Sequence, residues 1–183
     1  NYIAYCGEDD TTKALIVAFI RRMNDQEGIR VKAVMGDYSA DYEKIITIKN
    51  GVVLEDGTVL TNAQCAAYFA ALSACSDINV SNTYNLYQGA VDASPRLNNS
   101  DTEKALQKGN IVFTRRNDET VIIEQDINSL VTFTMEKNAD FSKNRVIRAI
   151  DGLASDIKDI FERNYIGKLS NNEDGRNILR AAI

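Results

Sequence analysis

Histidine is absent from all 183 residues, which removes every Ser-His-Asp or Cys-His mechanism and every imidazole-based metal site. No run of eighteen apolar residues occurs, so there is no candidate for a membrane-crossing helix, and no basic region followed by an apolar stretch marks a secretory signal. Clustered basic charge is missing too. The net charge is -5, and the pairs Arg21-Arg22 and Arg115-Arg116 stand alone, so neither a nucleic-acid nor a membrane partner is expected. The three cysteines are an odd number without CxxC spacing, which argues against a disulfide framework or a zinc site and for buried thiols at Cys6, Cys65 and Cys75. Proline occurs once, at Pro95.

What is present reads first as strand, helix, strand. "YIAYC" is a short strand of buried type, broken by Gly7. "EDDTTKALIVAFIRRMNDQEG" is a helix with acidic residues in its first turn, Arg21 and Arg22 near its last, and Gly28 beyond its end, and "RVKAVMG" is a second strand. This βαβ order predicts a parallel sheet covered by helices. "SADYEK" has room for one turn of helix. In "IITIKNGVVLEDGTVLT", Asn50-Gly51 and Asp56-Gly57 both carry the signal of a hairpin turn. Thr61 or Asn62 then caps an alanine-rich helix. Residues 77–100 have the composition of a long loop or domain junction. An α/β sheet domain over 1–98 is therefore expected, followed by a small α+β domain over 99–183. The second begins with a hairpin that turns at Arg116 to Glu119 between "IVFT" and "VIIEQDI", and its main helix is capped by Ser142. A further short helix starts within "SNNEDGRNILRAAI".

Two places invite a chemical reading. "CGEDDTTK" joins a strand to a helix through glycine, as phosphate-binding turns do, but it lacks GxGxxG or GxxxxGK[ST] spacing and its carboxylates would repel phosphate. Asp9, Asp10 and Asp37 also fall at the strand ends where α/β proteins bind ligands, so an acidic metal or nucleotide site is the alternative to plain helix capping. The second place is the helix after Ser142. Val146, Ile150, Leu153, Ile157, Ile160 and Phe161 share one face, while Arg148, Asp151, Asp156, Lys158, Asp159 and Glu162 lie opposite. Carboxylates interleaved with Arg and Lys at pairing distance make a solvated or subunit-facing charge stripe rather than an acid/base pair. No catalytic residue, cofactor or metal is expected.

Three stretches carry a resemblance: "EQDINSLVTFT", "FSKNRVIRAIDGLASDI", and "NYIGK" followed by "NNEDGR". Together they closely resemble the C-terminal part of tail sheath proteins from contractile phage tails and phage-tail-like bacteriocins. Upstream, "GVVLEDGTVLTNAQCAAYFAALSACSDINVSNTY" resembles the end of the preceding sheath domain, whose fold in that family is subtilisin-like, here in part. The resemblance implies a structural subunit that stacks in hexameric rings around a tail tube and contracts to drive the tube through a cell envelope. Its implied partners are other sheath subunits, the tail tube protein and the baseplate. The implied location is a virion tail or phage-tail-like particle assembled in the bacterial host cytoplasm. Neighbours in the family are tied by terminal arms that add strands to a small C-terminal sheet, and those arms are expected to lie outside this chain, which opens on a strand already under way. Ile111, Val112, Phe113, Val121, Ile122 and Ile123 of the hairpin, with Arg148, Asp156, Asp159 and Glu162 of the helix, are then the expected subunit contacts. The helix is expected to pack its apolar face on the hairpin.

Overall fold

The computed structural model describes residues 1–168 and 172–182. Its centre is a parallel sheet of β1 (Tyr2–Tyr5), β2 (Lys32–Gly36), β3 (Ile45–Ile48) and β7 (Asn110–Ile111), in that spatial order. Helix α1 (Asp10–Asp25) links β1 to β2, and α2 (Asn62–Cys75) packs on β1 and β2. Successive residues of a strand point to opposite faces. Ala33 and Met35 accordingly join Ile20 of α1 in one core cluster, while Val34 joins Phe69 of α2 in another. Both faces are covered, as βαβ order requires.

Local chemistry sets the helix starts. Asp9 accepts the Thr12 N–H at 2.8 Å and its hydroxyl at 2.5 Å, with Asp10 in the first turn of α1 and Arg22 in the last. Thr61 caps α2 in a full capping box: its hydroxyl accepts the Gln64 N–H, and the Gln64 side chain accepts the Thr61 N–H. Thr61→Ala should lower stability by about 0.5–2 kcal/mol in urea denaturation, and an unchanged midpoint would show that the box contributes nothing.

Several sequence expectations give way to longer-range packing. β1 lies at the sheet edge and Ile3 is 37% exposed, so it is not a buried strand. Residues 39–44 form no helix; Asp41 takes a positive φ, and its carboxylate accepts the N–H groups of Val131 and Thr132 at 2.8 and 2.9 Å. Asp56-Gly57 does turn β4 (Gly51–Leu54) back into β5 (Val59–Leu60). Asn50-Gly51 does not form a hairpin. It passes the chain from the parallel sheet into a separate antiparallel one, ordered β5, β4, β6 (Ala90–Ser94). The reason is non-local: Asn50 Oδ1 accepts the Phe113 N–H, and Asn50 Nδ2 donates to the Phe113 carbonyl, both at 2.9 Å. At Gly51 a Cβ would collide with the Leu60 carbonyl, so glycine is required by close approach rather than by a turn. The expected long loop over 77–100 contains β6 and the start of α3 (Asn99–Gln107), capped by Asn98.

The hairpin β8 (Phe113–Arg115) and β9 (Val121–Ile123) closes through the Arg116 N–H to the Thr120 carbonyl at 2.8 Å, at the expected turn. Its place differs. Phe113, Val121 and Ile123, with Ile111, lie in the same core as Val34, Ile48 and Phe69, so the hairpin packs with the parallel sheet rather than apart from it. Beyond it a 3-10 turn (Ala139–Ser142) leads into α4 (Asn144–Asn164), and α5 (Glu173–Ala182) follows. Ser142 is used in that turn, where it donates to the Ala139 carbonyl, so the N-cap of α4 falls on Lys143 without a side-chain bond. Of the three thiols only Cys65 is buried, which pushes its pKa up to about 11; Cys6 and Cys75 are exposed.

Candidate interaction surface

Helix α4 meets the body through its polar face. At roughly 100° per residue, Asn144, Ile147, Arg148 and Asp151 fall together, and all four are buried. Asp151 receives two lysines, Lys32 of β2 at 3.2 Å and Lys44 just before β3 by a shorter contact. Burial presses the pKa of each lysine below its usual range, and the Asp151 charge partly offsets this. Arg148 Nη1 donates to the carbonyls of Asp77 and Val80 at 3.0 and 2.7 Å, and Nη2 lies 3.8 Å from the buried carboxylate of Asp126. Asp126 in turn accepts the Asn82 N–H and the Asn144 side-chain amide, at 2.9 and 2.8 Å. Gly152 sits against the tip of the Ile78 side chain, which a Cβ there would push aside. A helix held this way is positioned by paired charges and backbone carbonyls, whose geometry is directional, rather than by apolar area.

The apolar stripe consequently faces outward. Leu153 is 60% exposed, Ile150 and Phe161 are each 42% exposed, and Val146, Ile157 and Ile160 are half-buried. The expected packing of this stripe on the hairpin does not occur, because the ion pairs of Arg148 and Asp151 turn the other side of the helix to the body. Single exposed apolar side chains are ordinary; here they form a row along one helix. Among the charged residues expected at a subunit contact, Asp156, Asp159 and Glu162 are exposed. Asp159 pairs with Arg163 at 3.4 Å and Glu162 with Lys158 at 3.8 Å, the i,i+4 spacing of a solvated stripe. Arg148 is internal.

The hairpin residues are placed differently from their expected role. Ile111, Val112, Phe113, Val121, Ile122 and Ile123 are all 2% exposed or less. The outer edge of β9 is already paired: Tyr84 and Tyr87 donate to the carbonyls of Ile123 and Val121, and Ile123 donates to Asn85. On the other edge Asn50 brackets Phe113, and Arg115 Nε donates to the Val91 carbonyl. An added strand has no open ladder there.

At the acidic strand ends, Asp9 is occupied as a cap, Asp10 pairs with Lys13 at 3.1 Å, and Asp37 pairs with Lys49. Among the described residues no three His, Cys, Asp or Glu side chains are grouped to hold a metal ion.

Sequence reasoning missed the Lys32, Lys44 and Asp151 cluster. Its one local signal is a lysine inside the otherwise apolar run "VKAVMG", since buried lysine demands a partner.

Residues 1–129 match the model of the phage tail sheath protein central domain, and residues 136–183 that of the phage tail sheath C-terminal domain. The PBSX phage-like element protein XkdK of Bacillus subtilis is 44% identical over 152 residues, covering 82% of this chain and 33% of its own length. The tail sheath protein of Clostridium phage phiCD119 is 28% identical across the whole chain, which covers 51% of that protein. The chain thus spans between a third and about half of these relatives. Among solved structures, the sheath tail protein from Desulfitobacterium hafniense superposes with a TM-score of 0.94 at 46% identity, covering all of this chain and 43% of that one. The anti-feeding prophage helical sheath in its contracted state shares the fold at a TM-score of 0.70 and 16% identity, over 97% of this chain and 50% of that one.

Proposed function

The chain belongs to the phage tail sheath family, and from that premise we propose that it is a non-catalytic structural subunit that assembles in hexameric rings around a tail tube. In this reading the assembled sheath contracts to drive the tube through a cell envelope, and its subunits meet one another, the tube and the baseplate in a phage tail or phage-tail-like particle assembled in the bacterial host cytoplasm. The parallel sheet with its covering helices corresponds to the subtilisin-like part of such a subunit, used as scaffold. Fold confers no chemistry by itself, and a chain without histidine has no imidazole base to offer.

The observation that carries the reading beyond family membership is the outward row of Ile150, Leu153 and Phe161 on α4. A helix anchored to its own body by buried ion pairs, with apolar residues presented on the far side, suits a subunit that must keep its shape while a neighbour covers that side. Asp159 and Glu162 lie on the other side of the helix, with Arg148 and Asp151, and take no part in that contact.

The test is location. Antibody raised against the exposed residues 131–140 should decorate the tails of particles purified from cells that encode the chain, seen by electron microscopy. Decoration of capsids only, or of nothing while the peptide is abundant in the cytosol, would contradict the proposal. A structural subunit should also show no change in melting temperature with magnesium or nucleotide, whereas a true ligand at a hundred times its Kd would stabilise by about 2.7 kcal/mol.

A further inference from the structure

Helix α1 is apolar on two sides. Its run "ALIVAFI", from Ala14 to Ile20, turns Ile16 and Ile20 toward the core of Ala33 and Met35. Ala14, Leu15, Ala18 and Phe19 lie on the opposite side and are exposed, Leu15 by 67% and Phe19 by 41%. A helix apolar all round belongs in an interior, so this outer row calls for a cover that the described residues do not provide. Arg22 continues the row at helical spacing from Phe19. Its guanidinium lies 5.9 Å from the centre of the Phe19 ring, and it has no ion-pair partner among the described residues. The row on α4 is built alike with the opposite charge: Asp156 is exposed beside Leu153 and Ile160 and has no ion-pair partner among the described residues. Both rows are open, so neither covers the other within one chain.

We propose that the outer row of α1 in one copy of this chain seats against the outward row of α4 in the next copy, the two helices running parallel with Phe19 against Leu153 and Arg22 against Asp156. The proposal rests on the reading that the α4 row is a subunit contact, and it names the surface of the neighbour that covers it. Charge selects the pairing. The register that brings Arg22 to Asp156 also brings the acidic start of α1, Glu8 and Asp10, to Arg145 of α4, which is exposed and has no ion-pair partner among the described residues. Ala14 and Ala18 leave room on α1 for the larger Ile150, Leu153 and Ile157 of α4. Because the two rows are unlike surfaces, the contact is heterologous. Each pair of copies keeps one α1 row and one α4 row free, so the contact propagates from copy to copy instead of stopping at a dimer.

A photo-crosslinker at Leu15 of a tagged copy, incorporated into tail particles together with untagged wild-type copies, tests it. The expected product joins tagged to untagged chains, between residues 11–22 of the first and residues 146–161 of the second. Links to α1 of the untagged copy, to any other part of it, to a different protein, or only within the tagged chain would each overturn the proposal, as would the absence of any link. The reading on which it rests fails separately, by a crosslinker at Leu153 that reaches neither another copy nor the tube. Charge reversal then reads the register. Arg22→Asp in the tagged copy, or Asp156→Arg in the untagged one, should each lower the yield of the Leu15 link about 2- to 5-fold, and the two together should restore it. Single reversals without effect, or a double reversal that does not recover, would overturn this pairing of the two helices.

Discussion

Asp151→Ala should destabilise the protein by about 3–5 kcal/mol, the range for removing one partner from a buried ion pair, because it leaves two buried lysines without their shared carboxylate. The loss should shrink with rising pH. Burial lowers the pKa of Lys32 and Lys44 in the folded state, so the folded chain binds fewer protons than the unfolded one, and stability contributed by these groups falls as pH drops through their folded values. Urea denaturation of the variant at neutral pH and at about pH 9.5 should therefore show partial recovery at the higher value. A loss under about 1 kcal/mol at neutral pH would mean that the lysines find water or another partner, and that α4 is not anchored through Asp151.

Phe113→Ala is the second large effect. Phe113 is 1% exposed, packs edge-on against Tyr87 with ring centroids 5.2 Å apart, and shares its core with Val34 and Phe69. The cost should be about 3–5 kcal/mol, and the consequence should reach across the sheet. Amide exchange should accelerate in β2 and β3 together with the hairpin, because one core is being opened. Acceleration confined to residues beyond 99 would instead show that the hairpin belongs to a separate domain.

Much of this architecture is legible in the sequence wherever the signal is local. The β1, α1, β2 order follows from periodicity and from Asp9 and Gly28 at the helix ends. Thr61 announces α2, and the turns at Asp56-Gly57 and residues 116–119 lie where their composition places them. The reading fails where a distant residue decides. Asn50-Gly51 carries a hairpin signature, yet Asn50 is claimed by Phe113, sixty-three residues away. β6, "AVDAS", has no alternation to reveal it and exists because β4 needs a partner. Helix α4 is the instructive case: its length and amphipathic pattern are plain, but the usual inference that the apolar side is the buried side assumes that a helix packs on its own chain. Lys32, contributed by β2, and Lys44, just before β3, reverse that orientation. The resemblance to tail sheath proteins survives this reversal, since it rests on long collinear stretches and not on which side of α4 is covered.

The reversal also fixes what a charge placed in the stripe should do. Leu153→Asp adds a charge to a residue already 60% exposed and should change the stability of the chain by no more than about 0.5 kcal/mol, while abolishing any association that uses the stripe. Sedimentation and urea melts on the same variant read the two effects independently. A melt lowered by several kcal/mol would place Leu153 in an interior contact.

The most direct test of the central claim, that α4 turns its apolar row to a neighbour in an assembled tail, is a photo-crosslinker placed at Leu153 in tail particles, with the buried Ile147 as control. The account predicts crosslinks from Leu153 to another sheath copy or to the tube, and crosslinks from Ile147 only within its own chain. Crosslinks from Leu153 confined to residues 111–127 of its own chain would contradict it.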